Sequence, residues 1–231
     1  KLQKILFFVA FLELVSSSYS GTRTCNVMLA GGLAAYIIFT LNERRTIMVL
    51  VSSVLISFFL LFGPLKNNPV ISRIKTTFAG NKDPSNMVRD MNRKNIQPYI
   101  YERPLGGGLN TCGEEGKVFY PDHRLAGYPP DSGYMKIMLE QGWIGLIINV
   151  LFYFIVLQRG ITGFFDSRKQ EIKTLYMAFT VCIFSLVLGQ YSQLAISQYP
   201  QNLFYFAALV IFYKLKEYDK KPSKHHENTV A

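Results

Sequence analysis

The sequence predicts an all-α membrane protein with about six transmembrane helices and one long polar loop that contains short helices. The chain is 49% hydrophobic although it carries a formal charge of +10 over 231 residues. It also contains long apolar stretches without any charged residue, such as 47–61 and 145–157. A soluble nucleic-acid-binding protein can share the positive charge but not such stretches. We therefore expect membrane lipid around the chain and no nucleic-acid partner.

Six apolar segments predict the spans. They cover residues 2–17, 26–41, 46–62, 134–158, 174–193 and 200–213. Several are at the short end of the roughly 17 to 25 residues that cross the hydrocarbon core of a bilayer. Because the chain opens on Lys1 rather than Met, we expect residues before it. The first segment is then the end of a span in a longer multi-pass protein, with a signal peptide as the alternative.

The charges of the connections predict which side of the membrane each one faces. Lys and Arg are frequent in the short connections 42–45 and 159–173 and in the tail, and such segments stay on the cytoplasmic side during insertion. With six spans, the long polar segment 64–133 then falls on the opposite side. The predicted organisation is three transmembrane helices in 1–63, an outward-facing loop in 64–133, three transmembrane helices in 134–213 and a basic cytoplasmic tail in 214–231.

Arg23 is the first candidate for a binding residue. It ends a stretch rich in Ser and Thr, 16–23, at the outer end of the first apolar segment. Its guanidinium group presents five donors in a planar fork that suits phosphate. An arginine at a membrane edge is also a common interfacial anchor, so both roles stay open.

Three further arginines in the long loop are candidates. Arg89 and Arg93 are spaced by four, which places them on one face if 85–97 is a helix lying along the membrane. Arg103 precedes a turn with a proline and three glycines, 106–108, whose backbone can approach a ligand closely. No Lys-Ser or Lys-Thr follows these glycines, so the turn is not a P-loop. A solvated basic face and a flexible turn are the alternative interpretation.

Polar residues before and within the fourth span complete the candidates. Asp131 and Ser132 directly precede this span, and either suits a helix N-cap. Lys136 and Glu140, four apart, are expected to neutralise each other. His123 is the single histidine of the long loop, and an imidazole can exchange protons near neutral pH. An exposed histidine without a function is the common alternative.

The order of these elements resembles the O-antigen ligase and O-antigen polymerase superfamily of bacterial envelope enzymes, in its C-terminal portion. The elements are Ser-Gly-Thr-Arg ending at Arg23, two spans, an outer loop with Arg89 before the glycine turn, and a polar cap followed by Tyr134, Glu140 and Gly142. The resemblance covers most of the chain.

This resemblance implies a multi-pass protein of the bacterial inner, or cytoplasmic, membrane with its long loop in the periplasm. Such proteins transfer a glycan from an undecaprenyl-diphosphate carrier to an acceptor sugar. In the ligases the acceptor is the lipid A core, and in the polymerases it is another carrier-linked repeat. Neither uses a metal or a nucleotide sugar, so we expect no cofactor. The rival from another class is a transporter or flippase for the same lipid-linked glycans, which would keep its polar groups within the spans.

By the same likeness, Arg23 and Arg89 match the arginines near the carrier diphosphate. Arg93 and Arg103 are further diphosphate-binding candidates in the same loop. Guanidinium groups bind phosphate through paired hydrogen bonds and stabilise the charge that develops on a departing phosphate.

The general base is less well defined by the resemblance. Ligases carry a His-Asn pair just before the helix that follows the loop, whereas this chain has Asp131 and Ser132 there. Asp131 and His123 are therefore the two candidates for the catalytic base that deprotonates the acceptor hydroxyl, and we favour Asp131. The three cysteines follow no metal-ligand spacing, so we expect no metal site.

Overall fold

A computed structural model of the chain describes residues 4–5, 8–10, 12–13, 16, 22–41, 43–62 and 84–220. The first part of the long loop, 64–83, and the end of the tail, 221–231, lie outside these residues. Only scattered positions of the expected first span at 2–17 are described.

The described part of the chain is all-helical, as the sequence predicts, and contains no β-strand. Its helices are α1 (Arg23–Phe39), α2 (Arg44–Phe62), α3 (Pro84–Glu102), α4 (Gly113–Phe119), α5 (Gly133–Asp166), α6 (Gln170–Gly189) and α7 (Gln201–Lys220). The stretch 85–97, for which a helix is considered from the sequence, lies within α3. The long loop contains two helices, of which α4 is short with 7 residues and α3 is not, with 19.

Two helices, α5 and α6, are long and apolar enough to cross a membrane. Helix α1 and the stretch 46–55 of α2 are shorter apolar helices. Helix α7 is apolar in its first part only, because its last two turns carry several charged side chains. The count of six spans is therefore not confirmed, whereas the all-helical class is.

Helix α6 lies at the centre of the bundle and packs against α1, α5 and α7. Small residues allow the close approach of these helices. A Cβ atom on Gly32 of α1 would lie 2.6 Å from the Ser185 Oγ, and one on Gly160 of α5 would lie 2.1 Å from the Thr180 Oγ1. Both Ser185 and Thr180 belong to α6, so a side chain at either glycine would have to displace a hydroxyl group of α6.

A second, smaller core forms where the loop covers the start of α5. It contains buried side chains of α3, of the loop and of the first turns of α5. They are Ile96, Tyr99, Ile100, Cys112, Leu125, Met135 and Leu139. This apolar cluster explains why the second half of the loop is folded onto the bundle.

The glycine turn of the loop pairs with a kink in α5. Gly142 has φ 68° and ψ −165°, a conformation essentially restricted to glycine. The kink releases the carbonyl oxygens of Leu139 and Glu140, which accept hydrogen bonds from the backbone N–H groups of Gly107 and Gly108 at 2.8 and 2.9 Å. The backbone of the glycine turn, which the sequence predicts can approach a ligand closely, instead approaches the backbone of α5.

Candidate active site

The turn at 190–192, directly after α6, is joined to the start of α5. The Gln190 side chain is fully buried, and its Oε1 accepts a hydrogen bond from the backbone N–H of Ile196 at 2.9 Å. The Gln190 carbonyl oxygen accepts one hydrogen bond from the Gly133 N–H at 2.9 Å and another from the Ser132 hydroxyl at 3.1 Å. These bonds hold the position of the turn relative to the residues that begin α5.

The same turn contacts the start of α1. The hydroxyl oxygens of Thr24 and Ser192 lie 2.8 Å apart, and Thr24 is buried. Arg23 directly precedes Thr24 and is the first residue of α1. The contact therefore places the backbone of Arg23 beside the turn.

Helix α3 reaches the turn through Arg93. The Arg93 guanidinium carbon lies 5.1 Å from the centroid of the Tyr191 ring, and its Nη1 donates to the Tyr191 hydroxyl at 3.4 Å. Asp90 lies 3.8 Å from the same guanidinium group. Arg89 is half-buried and lies about 6 Å from Arg93 along the same face of the helix.

Asp131 lies next to the residue that caps α5. Ser132 is the N-cap, and its hydroxyl accepts a hydrogen bond from the Met135 N–H, so the Asp131 carboxylate is not needed for that role. Burial raises the pKa of Tyr128 to about 12, and the charge of Asp131 adds to this effect whereas Arg93 opposes it. Asp131 and Arg93 are thus both close enough to influence the same phenol group.

The remaining predicted residues, Arg103 and His123, lie in a second group that we call the Tyr99 cluster, formed by Tyr99, Arg103, His123 and Arg124. The guanidinium carbons of Arg103 and Arg124 lie 5.7 and 5.5 Å from the centroid of the Tyr99 ring. The His123 ring lies edge-on at 6.5 Å. Burial raises the pKa of Tyr99, and the two arginines oppose this shift. The cluster therefore presents the exposed guanidinium groups of Arg103 and Arg124 beside a buried tyrosine ring at the far end of α3.

The hydrogen bonding of His123 limits its chemistry. Its Nδ1 accepts a hydrogen bond from the backbone N–H of Leu125 at 3.2 Å. In the neutral imidazole the proton then resides on Nε2, which makes His123 a hydrogen-bond donor at its other nitrogen. The ring faces the glycine turn, since a Cβ atom on Gly107 would lie 3.2 Å from Nε2.

The two charged residues of early α5 are held by the loop. Lys136 forms its ion pair with Glu115 of α4, and the buried Glu140 accepts a hydrogen bond from the backbone N–H of Cys112 at 3.3 Å. The expected pairing of Lys136 with Glu140 is therefore replaced by contacts across the loop. Burial and the neighbouring charge of Glu140 raise the pKa of Cys112 to about 12.

No group of three or more metal-binding side chains occurs within the part of the chain that the structure describes.

Comparison with models of protein families shows which family the chain belongs to. The model of a family described as O-antigen ligase matches residues 7–150, more than half of the sequence. The chain belongs to the O-antigen ligase family. No curated protein and no solved structure matches it.

O-antigen ligase family members are membrane-integral bacterial proteins that act on lipid-linked glycans and acceptors. The match to this family contains every predicted site residue of the chain. They are Arg23, Arg89, Arg93, Arg103, His123 and Asp131. The turn 190–192 lies beyond the match, although it contacts three of the elements that carry these residues.

Sequence reasoning missed this turn. The one feature of the sequence that marks this turn is the polar stretch Gln-Tyr-Ser-Gln at 190–193, which directly follows the apolar helix α6. Such a sequence is typical of an ordinary interhelical connection, so only the folded structure shows its contacts.

Proposed function

We propose that the chain is a membrane glycosyltransferase that moves a glycan from an undecaprenyl-diphosphate carrier to an acceptor sugar, without a metal. Family membership supports this class of enzyme. The observation that carries the site is the turn 190–192, whose contacts bring the start of α1, the face of α3 with Arg93, and the start of α5 to one place.

The carrier diphosphate is bound in this proposal by Arg23, Arg89 and Arg93. Arg89 and Arg93 lie one helical turn apart on α3, and Arg23 begins the helix whose next residue contacts the same turn as Arg93. The donor diphosphate, esterified at both ends, carries two negative charges, which is one fewer than the three guanidinium groups offer. They also stabilise the additional charge that develops on its oxygen as the glycosidic bond breaks.

Asp131 is the general base in this proposal. The acceptor hydroxyl attacks the anomeric carbon of the donor sugar while Asp131 takes its proton. The bond between that carbon and the diphosphate oxygen breaks, and the electron pair leaves with the diphosphate. His123 is less suitable as the base. Its Nδ1 already accepts a hydrogen bond from the Leu125 N–H, and the proton of the neutral ring is then on Nε2, so neither nitrogen is free to accept a proton.

Arg103 and His123 serve the acceptor in this proposal. Arg103 lies about 15 Å beyond Arg93 along α3, and its guanidinium group is directed toward Tyr99. The exposed guanidinium groups of Arg103 and Arg124, together with the half-buried imidazole donor of His123, suit the anionic and hydroxyl groups of a glycan. We therefore assign Arg103 to the acceptor rather than to the donor diphosphate.

The membrane arrangement follows from the charges of the connections. We propose an inner-membrane protein with three transmembrane helices in 1–63, a periplasmic loop in 64–133, three transmembrane helices in 134–213 and a cytoplasmic tail in 214–231. The site and the Tyr99 cluster are then both on the periplasmic side. This is where lipid-linked glycans are joined to their acceptors.

A deletion strain distinguishes the possible reactions. The surface-glycan profile should lose all attached polymer if the enzyme is a ligase with lipid A core as acceptor, whereas a single attached repeat indicates a polymerase. Accumulation of carrier-linked glycan on the cytoplasmic side would indicate a flippase and would reject the proposal, as would an unchanged surface glycan.

The base assignment is tested with purified protein and carrier-linked glycan. Asp131→Asn should abolish transfer, while His123→Ala should retain it at a reduced acceptor affinity. Wild-type transfer by Asp131→Asn would reject Asp131 as the base.

A further inference from the structure

A cavity of about 640 Å³ lies at the end of the bundle opposite the candidate active site. Helices α5, α6 and α7 form its wall, and the proposed transfer reaction does not use it. Its lining combines apolar side chains such as Ile155, Leu209 and Phe212 with the charged side chains of Arg159, Asp166, Lys216 and Asp219.

The charged side chains that line this cavity do not form ion pairs with one another. Among the described residues, neither Arg159 nor Lys216 has a carboxylate within ion-pair distance, and Asp166 has no basic partner. Asp219 is occupied differently. Its carboxylate accepts hydrogen bonds from the backbone N–H groups at 168 and 169, at 3.2 to 3.3 Å, where α6 begins. Two cations and one carboxylate therefore remain available to a ligand.

The position of the cavity along α5 matches a membrane surface. Arg159 lies 17 residues after the kink at Gly142, which corresponds to about 25 Å of helix. The hydrocarbon core of a bilayer is about 30 Å thick. If the kink lies near one surface, Arg159 and Lys216 lie near the headgroups of the opposite leaflet, and basic pockets between membrane helices at that depth bind lipid headgroups.

We propose that this cavity binds a phospholipid with a zwitterionic phosphoethanolamine headgroup. The phosphate is bound by Arg159 and Lys216, and the ammonium group by Asp166, so that each available charge has a partner. The apolar side chains contact the first methylene groups of the acyl chains. A volume of about 640 Å³ suits the headgroup and the upper part of the lipid rather than a whole lipid molecule.

The test is native mass spectrometry of the delipidated, detergent-purified chain titrated with phosphatidylethanolamine, phosphatidylglycerol or phosphatidylcholine. We expect preferential retention of phosphatidylethanolamine. The double variant R159Q/K216Q should weaken its retention by at least about tenfold, because it removes two charge-assisted hydrogen bonds. Asp166→Asn should retain lipid but lose the preference for phosphatidylethanolamine over phosphatidylglycerol.

The matched control is R168Q/K173Q, which removes the same charge from residues that do not line the cavity. Equal weakening in this control would overturn the proposal, because it would indicate a general surface-charge effect. Preference for phosphatidylglycerol, or equal retention of all three lipids, would overturn it as well. A circular-dichroism spectrum and a size-exclusion profile matching wild type confirm that each variant is folded, and lipid retention is independent of transferase activity.

Discussion

The hydroxyl groups of Thr24 and Ser192 lie 2.8 Å apart although 168 positions separate these residues in the chain. This contact joins the start of α1 to the turn that follows α6. Arg23 precedes Thr24 in the chain, and Tyr191 precedes Ser192. The contact therefore places Arg23, a candidate for binding the diphosphate, near the Tyr191 ring that contacts Arg93. One hydrogen bond thus links two halves of the proposed donor site.

A double-mutant cycle measures this link. Thr24→Val and Ser192→Ala should each lower the unfolding free energy by about 1 kcal/mol. The double variant should lose less than the sum, since the two residues share one interaction. The measurement is thermal unfolding in detergent for the four proteins. Strictly additive losses would show that the two hydroxyl groups do not interact.

Gly142→Ala should destabilise the pairing of the glycine turn with α5. A Cβ atom at Gly142 would lie 2.0 Å from the Pro104 carbonyl oxygen, and the backbone there has φ 68°. Gly108→Ala is the matched control, because φ is +105° but the nearest atom, the Thr111 Cγ2, would be 3.5 Å away. Both changes introduce backbone strain, and only the first adds a steric clash of about 1–3 kcal/mol.

The melting temperatures of these two variants in detergent provide the check. Gly142→Ala should melt below Gly108→Ala. Equal melting temperatures would show that the close contact between the two backbones does not form.

Ser132→Ala and Asp131→Asn should separate structure from chemistry at the start of α5. Ser132 caps the helix and donates to the Gln190 carbonyl oxygen, so its removal should cost about 1–2 kcal/mol of stability. Asp131 has no capping role, and Asp131→Asn should leave the melting temperature unchanged while abolishing glycan transfer. A loss of stability in Asp131→Asn that equals the loss in Ser132→Ala would assign Asp131 a structural role instead.

Cys112 should resist thiol reagents in the folded protein. Burial beside Glu140 raises its pKa from 9.0 to about 12, so the reactive thiolate is scarce at neutral pH. Between pH 9 and 12 the Cys112 thiol stays protonated in the folded protein but loses its proton in the unfolded chain. The contribution of this thiol to the free energy of unfolding is therefore fully present below pH 9 and is lost as the pH rises toward 12.

Maleimide labelling followed by peptide mass spectrometry tests this prediction. Cys112 should label slowly at pH 7 to 8, and it should label rapidly only after unfolding. The control is the half-buried Cys25, which should label faster. Rapid labelling of Cys112 in the folded protein would contradict the burial of this thiol.

The sequence predicted the local features of this fold well. Arg89 and Arg93 were expected on one face if 85–97 is helical, and that stretch lies within α3. The polar pair before the fourth apolar segment predicted an N-cap that proved to be Ser132. These features depend on neighbouring residues, whose geometry is fixed by helical periodicity and by the first turn of a helix.

The long-range contacts could not be predicted in the same way. The spacing of Lys136 and Glu140 indicated a mutual ion pair, but α4 brings Glu115 to Lys136. The involvement of the turn 190–192 depends on the packing of α6 between α1 and α5, which no local pattern specifies. The sequence therefore identified candidate arginines, whereas their division between the turn and the Tyr99 cluster required the structure.

The central claim is that the arginines near the turn 190–192 bind the donor diphosphate. It is tested most directly by comparing glycan transfer from purified carrier-linked donor by wild type, Arg89→Ala, Arg93→Ala and the control Lys94→Ala, whose exposed side chain neighbours Arg93. We predict that Arg89→Ala and Arg93→Ala insert normally and lose at least about 100-fold in transfer rate, as expected when a donor to a developing charge is removed, while Lys94→Ala retains activity. Wild-type transfer by both arginine variants would contradict the account.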